Sequence, residues 1–330
     1  MNSRKSRIGL YGDNGHQIHH ELAGQSNAVA VAAAEISPSQ LEEAFGRTGG
    51  IRLHASLDDL LADEEVEAVS LCSPRRIDQA ADAERALRAG KHVYAEKPCA
   101  MREEDLNRLI ATATERGLIF REMAGTAFEQ PYFAMRGLVQ DGRIGEVVAV
   151  TAEKSYPYFE GRAQDEALDG GLILQCAVHA LRFIEHVAGV KISGIDARET
   201  TLGNPEAHGG LRMASVLMME LENGGVATVS ANYLNPRGAG VWGYESLRIF
   251  GTQGMVESSH GGARTRLVVG NQDLGAIETS TAGLRYLDAF LKTIRGEAEM
   301  PVSLEEELSP TRWAIRAKSQ ADSRRRDRAI

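Results

Sequence analysis

Four polar side chains break up the otherwise apolar segment 171–188: Gln175, His179, Arg182 and His186, with Glu185 beside them. Their spacing of i, i+4, i+7 and i+11 lines them along one face of a helix. Such a stripe faces either water or a polar cleft, and periodicity alone favours the solvated face. A different chemistry is written near the start of the chain, where the apolar run 7–11 leads into Gly12-Asp13-Asn14-Gly15-His16-Gln17. A strand, a glycine turn and a helix start present backbone N–H groups and the positive end of a helix dipole, which suits the pyrophosphate of a dinucleotide. Against the pattern G-x-G-x-x-G, Gly12 holds the first position, while Asn14 and Gln17 hold the second and third. Asn tolerates left-handed backbone angles, so the turn can form. Its side chain occupies space that a phosphate would approach, and Asp13 adds a negative charge. Gly15 and His16 complete the turn as candidate contacts. Glu35 ends the next apolar run, where an acid accepts hydrogen bonds from ribose hydroxyls and repels a 2′-phosphate. That arrangement favours NAD over NADP. His16, His19 and His20 have no local cysteine or acid cluster to join them, so no metal site is expected.

The elements that must position these residues follow from the hydrophobic pattern. Up to about residue 123, short apolar runs (7–11, 28–34, 66–72, 91–95, 118–122) alternate with helix-like segments at 16–24, 38–46, 57–62, 76–89 and 102–116. Ser56 with Asp59 forms a capping-box pattern, Pro38 suits a first helical turn, and Gly90 and Gly117 stop their helices. Strands alternating with helices of this length imply βαβ units and a doubly wound parallel sheet. Beyond residue 123 longer strand-like stretches follow one another (146–154, 192–201, 212–221, 225–233, 246–250, 254–259, 263–270), with turn signals such as Asn223-Gly224-Gly225 that favour hairpins. One buried-looking helix at 171–188 interrupts them, and helices at 282–295 and 303–319 close the chain. The expected architecture is a Rossmann-like domain over 1–123 and an α+β domain with a large, mostly antiparallel open sheet over 124–330. The basic tail 323–330 reads as a solvated, frayed terminus.

Composition narrows the function classes. The 330 residues carry 46 acidic and 37 basic side chains, a net charge of −9, which argues against a nucleic-acid partner. No apolar run approaches the ~18 residues that span a bilayer, and the N-terminus lacks the apolar stretch of a secretory signal. Cys72, Cys99 and Cys176 lie far apart, which fits a reducing compartment and small buried residues rather than a disulfide framework. A cytoplasmic protein is expected.

The segment Ala89-Gly90-Lys91-His92-Val93-Tyr94-Ala95-Glu96-Lys97-Pro98 closely resembles the A-G-K-H-V-x-x-E-K-P signature of the glucose–fructose oxidoreductase/inositol dehydrogenase (Gfo/Idh/MocA) family. The resemblance continues through 56–74, 141–150, 169–189, 249–257 and 295–308, and so covers essentially the whole chain. It implies hydride transfer between NAD(P) and a sugar, polyol or related small molecule. By that resemblance Lys97 lies beside the nicotinamide, hydrogen-bonds the substrate hydroxyl and helps relay its proton, while His179 is the general base. The cofactor contacts implied are Gly12, Asn14, Gly15, His16, Glu35, Ser73, Pro74, Glu96 and Lys97. Gln175 and Arg182 are candidate substrate contacts. Homodimers or homotetramers paired through the open sheet are expected.

The chain also departs from the pattern. Gln175 stands where the family usually has an aspartate four residues before the histidine, and Arg182 where it often has an aspartate three residues after. Arg75 and Asp78 replace the Asn and His that follow the proline after the fourth strand. A carboxylate beside imidazole fixes its tautomer and favours the protonated form, and glutamine does only the first. Arg75 or Arg182 would suit an anionic substrate such as a sugar acid. Two other readings stay open: a non-catalytic ligand-binding or regulatory protein on this scaffold, and a redox-neutral enzyme that retains its NAD.

Overall fold

A computed structural model of the chain describes residues 4–46 and 50–328. Its contacts divide it into two compact units. The first takes in the chain as far as Met123, together with Ala167–Asp169 and Tyr286–Leu308. The second comprises Ala124–Glu166, Gly170–Arg285 and the residues from Ser309 on. The chain thus returns to the first unit late in its length, beyond the single boundary that the sequence pattern suggests.

In the first unit six parallel strands run β1 (Ser6–Tyr11), β2 (Ala28–Ala34), β3 (Arg52–Leu53), β4 (Ala68–Leu71), β5 (His92–Ala95) and β6 (Phe120–Glu122), in spatial order β3-β2-β1-β4-β5-β6. The helices between them are α1 (His19–Ala23), α2 (Pro38–Phe45), α3 (Leu57–Ala62), α4 (Gln79–Arg88) and α5 (Glu103–Arg116). The strands are nearly continuous runs of Ala, Val and Leu because helices cover both faces of a parallel sheet. Each helix turns its apolar side inward: Leu57, Leu60 and Leu61 from α3, and Leu106, Leu109 and Ala113 from α5 are buried. Ser37 caps α2 in a full capping box with Gln40, and the Ser56 hydroxyl accepts the Asp59 N–H at the start of α3. Strand order reverses between β1 and β4, and the carboxyl ends of these strands are where this topology binds ligands. One expectation fails here. The first helix is not 16–24 but the five-residue α1, which starts only at His19, because Gln17 is held inside by its own side chain as described below.

The second unit is built on eight strands: β7 (Val147–Ser155), β8 (Ile192–Thr200), β9 (Ala214–Leu221), β10 (Val226–Asn232), β11 (Tyr244–Gly251), β12 (Gly254–Ser259), β13 (Arg264–Val269) and β14 (Gln272–Gly275). Their order is β14-β13-β12-β11-β7-β10-β9-β8, antiparallel throughout except for β7 against β10. Asn223 closes the β9–β10 hairpin by accepting the Gly225 N–H and donating to the Val147 carbonyl. Alternate residues on β9, such as Leu217 and Met219, are buried while Val216 and Met218 are exposed, so the sheet has one covered and one open face.

The helices of this unit are α6 (Tyr132–Gln140), α7 (Glu166–Asp169), which ends in the first unit, and α8 (Val178–Arg182). Turns of wider, π-helical winding flank α8 at Ile173–Ala177 and Phe183–Val187. The stretch Glu166–Val187 is long and apolar enough, by length and composition, to cross a bilayer. Yet 78% of its apolar window is buried inside the protein, as in a core helix. The terminal helix continues from Leu304 to Arg328, so the basic tail is helical up to that residue rather than frayed. Residues 329 and 330 lie outside the described residues.

Candidate functional site

The turn after β1 is shaped by glycine where glycine remains. Gly12 has φ +69, and a Cβ there would sit 2.0 Å from the Cys72 carbonyl oxygen. Gly15 has φ +120, and a Cβ there would meet the Glu96 side chain at 2.7 Å. Only a residue without a side chain passes between these walls. At the two lost glycines the structure supplies substitutes. The Asn14 amide donates to the carbonyls of Pro74 and Leu168, so it is turned aside rather than left in the turn. Gln17 is buried, donates to the carbonyls of Tyr11 and Gly12, and accepts from the Ser70 hydroxyl and the Ile18 N–H. It thereby joins β1 to β4 where close packing of a glycine would otherwise do so. Asp13 is drawn off by Gln40 at 3.1 Å. Glu35 is exposed just past β2 at φ 55.

The sequence reading missed Arg76. Its guanidinium bonds the Asn14 carbonyl through Nη2, while Nε and Nη1 are buried and make no hydrogen bond. The residue is 2% exposed. Arg75, one of two candidates for an anionic ligand, is exposed and pairs with Asp78 at 3.8 Å. Nothing local in the sequence separates the two arginines. Ser73 spends its hydroxyl on Asp82 and its N–H on Gln79, so it braces α4 and has no side-chain donor left. The β1 turn and the orphaned Arg76 nitrogens fit a dinucleotide: a glycine cradle with a buried cation beside it suits a pyrophosphate.

At the carboxyl end of β5 stand Glu96 and Lys97, 1% and 3% exposed. The Glu96 carboxylate accepts the His16 backbone N–H and contacts the His16 ring at 3.1 Å, and Lys97 Nζ lies 3.6 Å from it. Burial alone would raise the Glu96 carboxyl. The His16 contact and the charges of Lys97, His16 and Arg76 outweigh it and hold the group at about 2. Glu96 is therefore an anion at neutral pH, set beside the buried Lys97. Gln79, also missed, ties the ends of β4 and β5 together through the carbonyls of Leu71 and Glu96.

In the second unit the polar stripe is not a solvated face. His179, Arg182 and His186 are 8%, 1% and 3% exposed, and only Gln175 is half-buried. The stripe also does not run on a uniform α-helix, since Gln175 sits in the first π-helical turn. Such turns are often found at functional sites. Gln175 Oε1 accepts the Tyr233 hydroxyl at 2.7 Å and lies 3.5 Å from Arg162 Nη1. Arg162, which the sequence reading also missed, lies over the rings of Tyr233 and Phe159, 3.8 and 4.4 Å from their centroids. A desolvated cation–π contact is worth about 2 kcal/mol, whereas burying an ion costs several. Among the described residues, no group of three or more His, Cys, Asp or Glu side chains is placed to hold a metal ion.

Comparisons with known proteins agree on one family. Residues 8–123 match the oxidoreductase family with an NAD-binding Rossmann fold (GFO_IDH_MocA), and residues 132–257 match the GFO/IDH/MocA C-terminal domain. A curated relative, dTDP-3,4-didehydro-2,6-dideoxy-alpha-D-glucose 3-reductase from Streptomyces violaceoruber, is 35% identical over 60% of this chain and 60% of its own length. The chain thus spans less than two thirds of that reductase. Myo-inositol 2-dehydrogenase from Thermotoga maritima is 24% identical over 84% of this chain and 80% of its own length. The solved aldose-aldose oxidoreductase from Caulobacter crescentus shares the fold, with a TM-score of 0.81 and 20% identity over 97% of this chain and 98% of that one.

Proposed function

We propose, from the chain's membership of the Gfo/Idh/MocA oxidoreductase family, that it is an NAD(P)-dependent dehydrogenase or reductase. It moves a hydride between nicotinamide and the hydroxyl or keto carbon of a sugar, polyol or related small molecule. The observation that carries this reading is the buried Lys97 beside an ionised Glu96 at the carboxyl edge of the parallel sheet, joined through His16 to the β1 turn. Bound there, a nicotinamide dinucleotide supplies a two-electron hydride acceptor or donor. Gly12, Asn14, Gly15 and His16 form the turn that holds it, Arg76 offers its phosphates a cation, and Glu35 favours an unphosphorylated ribose and hence NAD. Pro74 orients Asn14 through its carbonyl. Lys97 hydrogen-bonds the substrate oxygen, and Lys97 and His179 carry its proton. Gln175 and Arg182 are proposed as substrate contacts. The sugar and inositol chemistry named for the two curated relatives supports a carbohydrate-like substrate. The open sheet face carries Val216, Met218, Val226 and Phe250 in the open, which supports a homodimer or homotetramer. Three buried free cysteines accord with a cytoplasmic setting.

The test is a titration of the protein with NADH and then NADPH, following nicotinamide fluorescence. Saturable binding with NADH preferred is the expected result. Absence of binding by both at millimolar concentration would overturn the reading.

A further inference from the structure

We propose that the ligand taken beside His179 carries a carboxylate seated on Arg162, so that the substrate class is a sugar acid rather than a neutral sugar. The inference rests on the oxidoreductase reading only for the word substrate; the anion seat itself stands on the second unit alone. Arg162 is 6% exposed. Its side chain meets two aromatic rings and the Gln175 oxygen, and its Nε–H has no acceptor. No carboxylate of the described residues pairs with it. Two other buried cations of this unit are treated differently. Lys154 is paired with Glu245, and Lys318 with Glu166 and Glu199.

A guanidinium keeps its charge at any working pH, so this site cannot relieve the imbalance by losing a proton. The rings stabilise the charge but accept no in-plane N–H bond. Gln175 stands one helical turn from His179, at the position where the family resemblance places an aspartate. Its amide oxygen offers Arg162 a dipole where a carboxylate would offer a charge. The partner missing from the protein is thus planar and anionic, and a ligand carboxylate matches the guanidinium N–H pair. Gln175 is half-buried, which leaves this end of the face within reach of a small molecule.

The experiment uses the full chain and two matched pairs of probes, D-glucuronate with D-glucose and D-galacturonate with D-galactose. Calorimetric binding is measured without cofactor, and turnover is measured with NAD. A uronate should bind at least about tenfold more tightly than its neutral partner, the scale of one hydrogen bond to a charged group. Arg162→Gln should abolish that preference and Arg162→Lys should keep part of it. Gln175→Asp, which gives Arg162 an internal carboxylate, should lower uronate affinity by a similar factor. It keeps the test decisive if Arg162→Gln fails to fold. Equal or absent binding of the acids, or a preference that survives both Arg162→Gln and Gln175→Asp, overturns the proposal. Preferential uronate binding in a protein that ignores NADH and NADPH supports the anion seat while rejecting the oxidoreductase reading. Turnover of neutral sugars at parity with acids does the reverse.

Discussion

The β1 turn and the Gln175 face both depart from the family pattern, and the structure answers the two departures differently. At the turn, Asn14 and Gln17 replace glycines, and the Asn14 amide N–H2 and both polar ends of Gln17 are taken up by neighbours. At Gln175 an expected acid is absent, and the buried Arg162 beside it has no carboxylate. A substitution whose hydrogen bonds close within the fold has been absorbed by the fold. One that strands a buried cation has passed a requirement outward, to whatever binds there.

The sharpest way to break the contrast is to ask whether the first region still does chemistry. Lys97→Ala should lower kcat by roughly 10²–10⁴-fold, the usual scale of a lost proton-relay group, with an unchanged circular dichroism spectrum. Near wild-type turnover would remove Lys97 from its role. Next comes a buried acid whose partner is present. Burial pushes the Glu307 carboxyl up to about 7 against the pull of Arg121, Tyr286 and the Glu122 N–H. Folding therefore favours its protonated form. The stability it lends is full below its ordinary value of 4.5 and is lost as pH rises through about 7. Relative to Glu307→Gln, the wild type should lose about 3 kcal/mol of unfolding free energy across that window, read by urea titration at several pH values. Matching pH slopes in the two proteins would contradict this.

If Gln17 is absorbed, restoring the lost glycine should harm. Gln17→Gly strands the Ser70 hydroxyl and should cost about 1–3 kcal/mol, seen as a lower thermal midpoint. A higher midpoint would mean that the turn still wants its glycine. The smallest effect belongs to Gln175→Asp. Coulombic gain at Arg162 and the cost of burying a carboxylate nearly cancel, leaving a gain of about 1 kcal/mol in unfolding free energy. A clear loss would show that Arg162 is already balanced.

The fold was legible where burial leaves a period. The Ala- and Val-rich strands β1, β2, β4 and β5 and the capped helices α2 and α3 lie within two residues of their expected bounds. Elements that bury little left no trace: β3 has two exposed residues, and all four of β14 are exposed. Helix α6 was missed because it begins after Pro131 with no capping side chain. The sequence names Glu96, Lys97 and His179 as candidate site residues only through the family resemblance. Arg76 and Arg162 were invisible because their importance lies in N–H groups left unbonded inside the protein, a property of three-dimensional burial. Periodicity alone also pointed the 175–186 stripe to solvent, a reading that the family resemblance of His179 reverses, since periodicity reports that a face differs and not what lies against it.

The late return of the chain to its first unit bears on how the protein is made. The helix Tyr286–Ile294 packs Phe290 against Tyr94, with ring centroids 5.0 Å apart, and its Asp288 accepts from Gln25. Neither Phe290 nor Asp288 exists when the first 123 residues leave the ribosome. At ~5–20 residues per second, the Tyr94 surface waits on the order of ten seconds for its cover. The unit begun first stays incomplete until Leu308 is made, so a nascent chain halted before Tyr286 carries an exposed apolar face of the kind that chaperones hold.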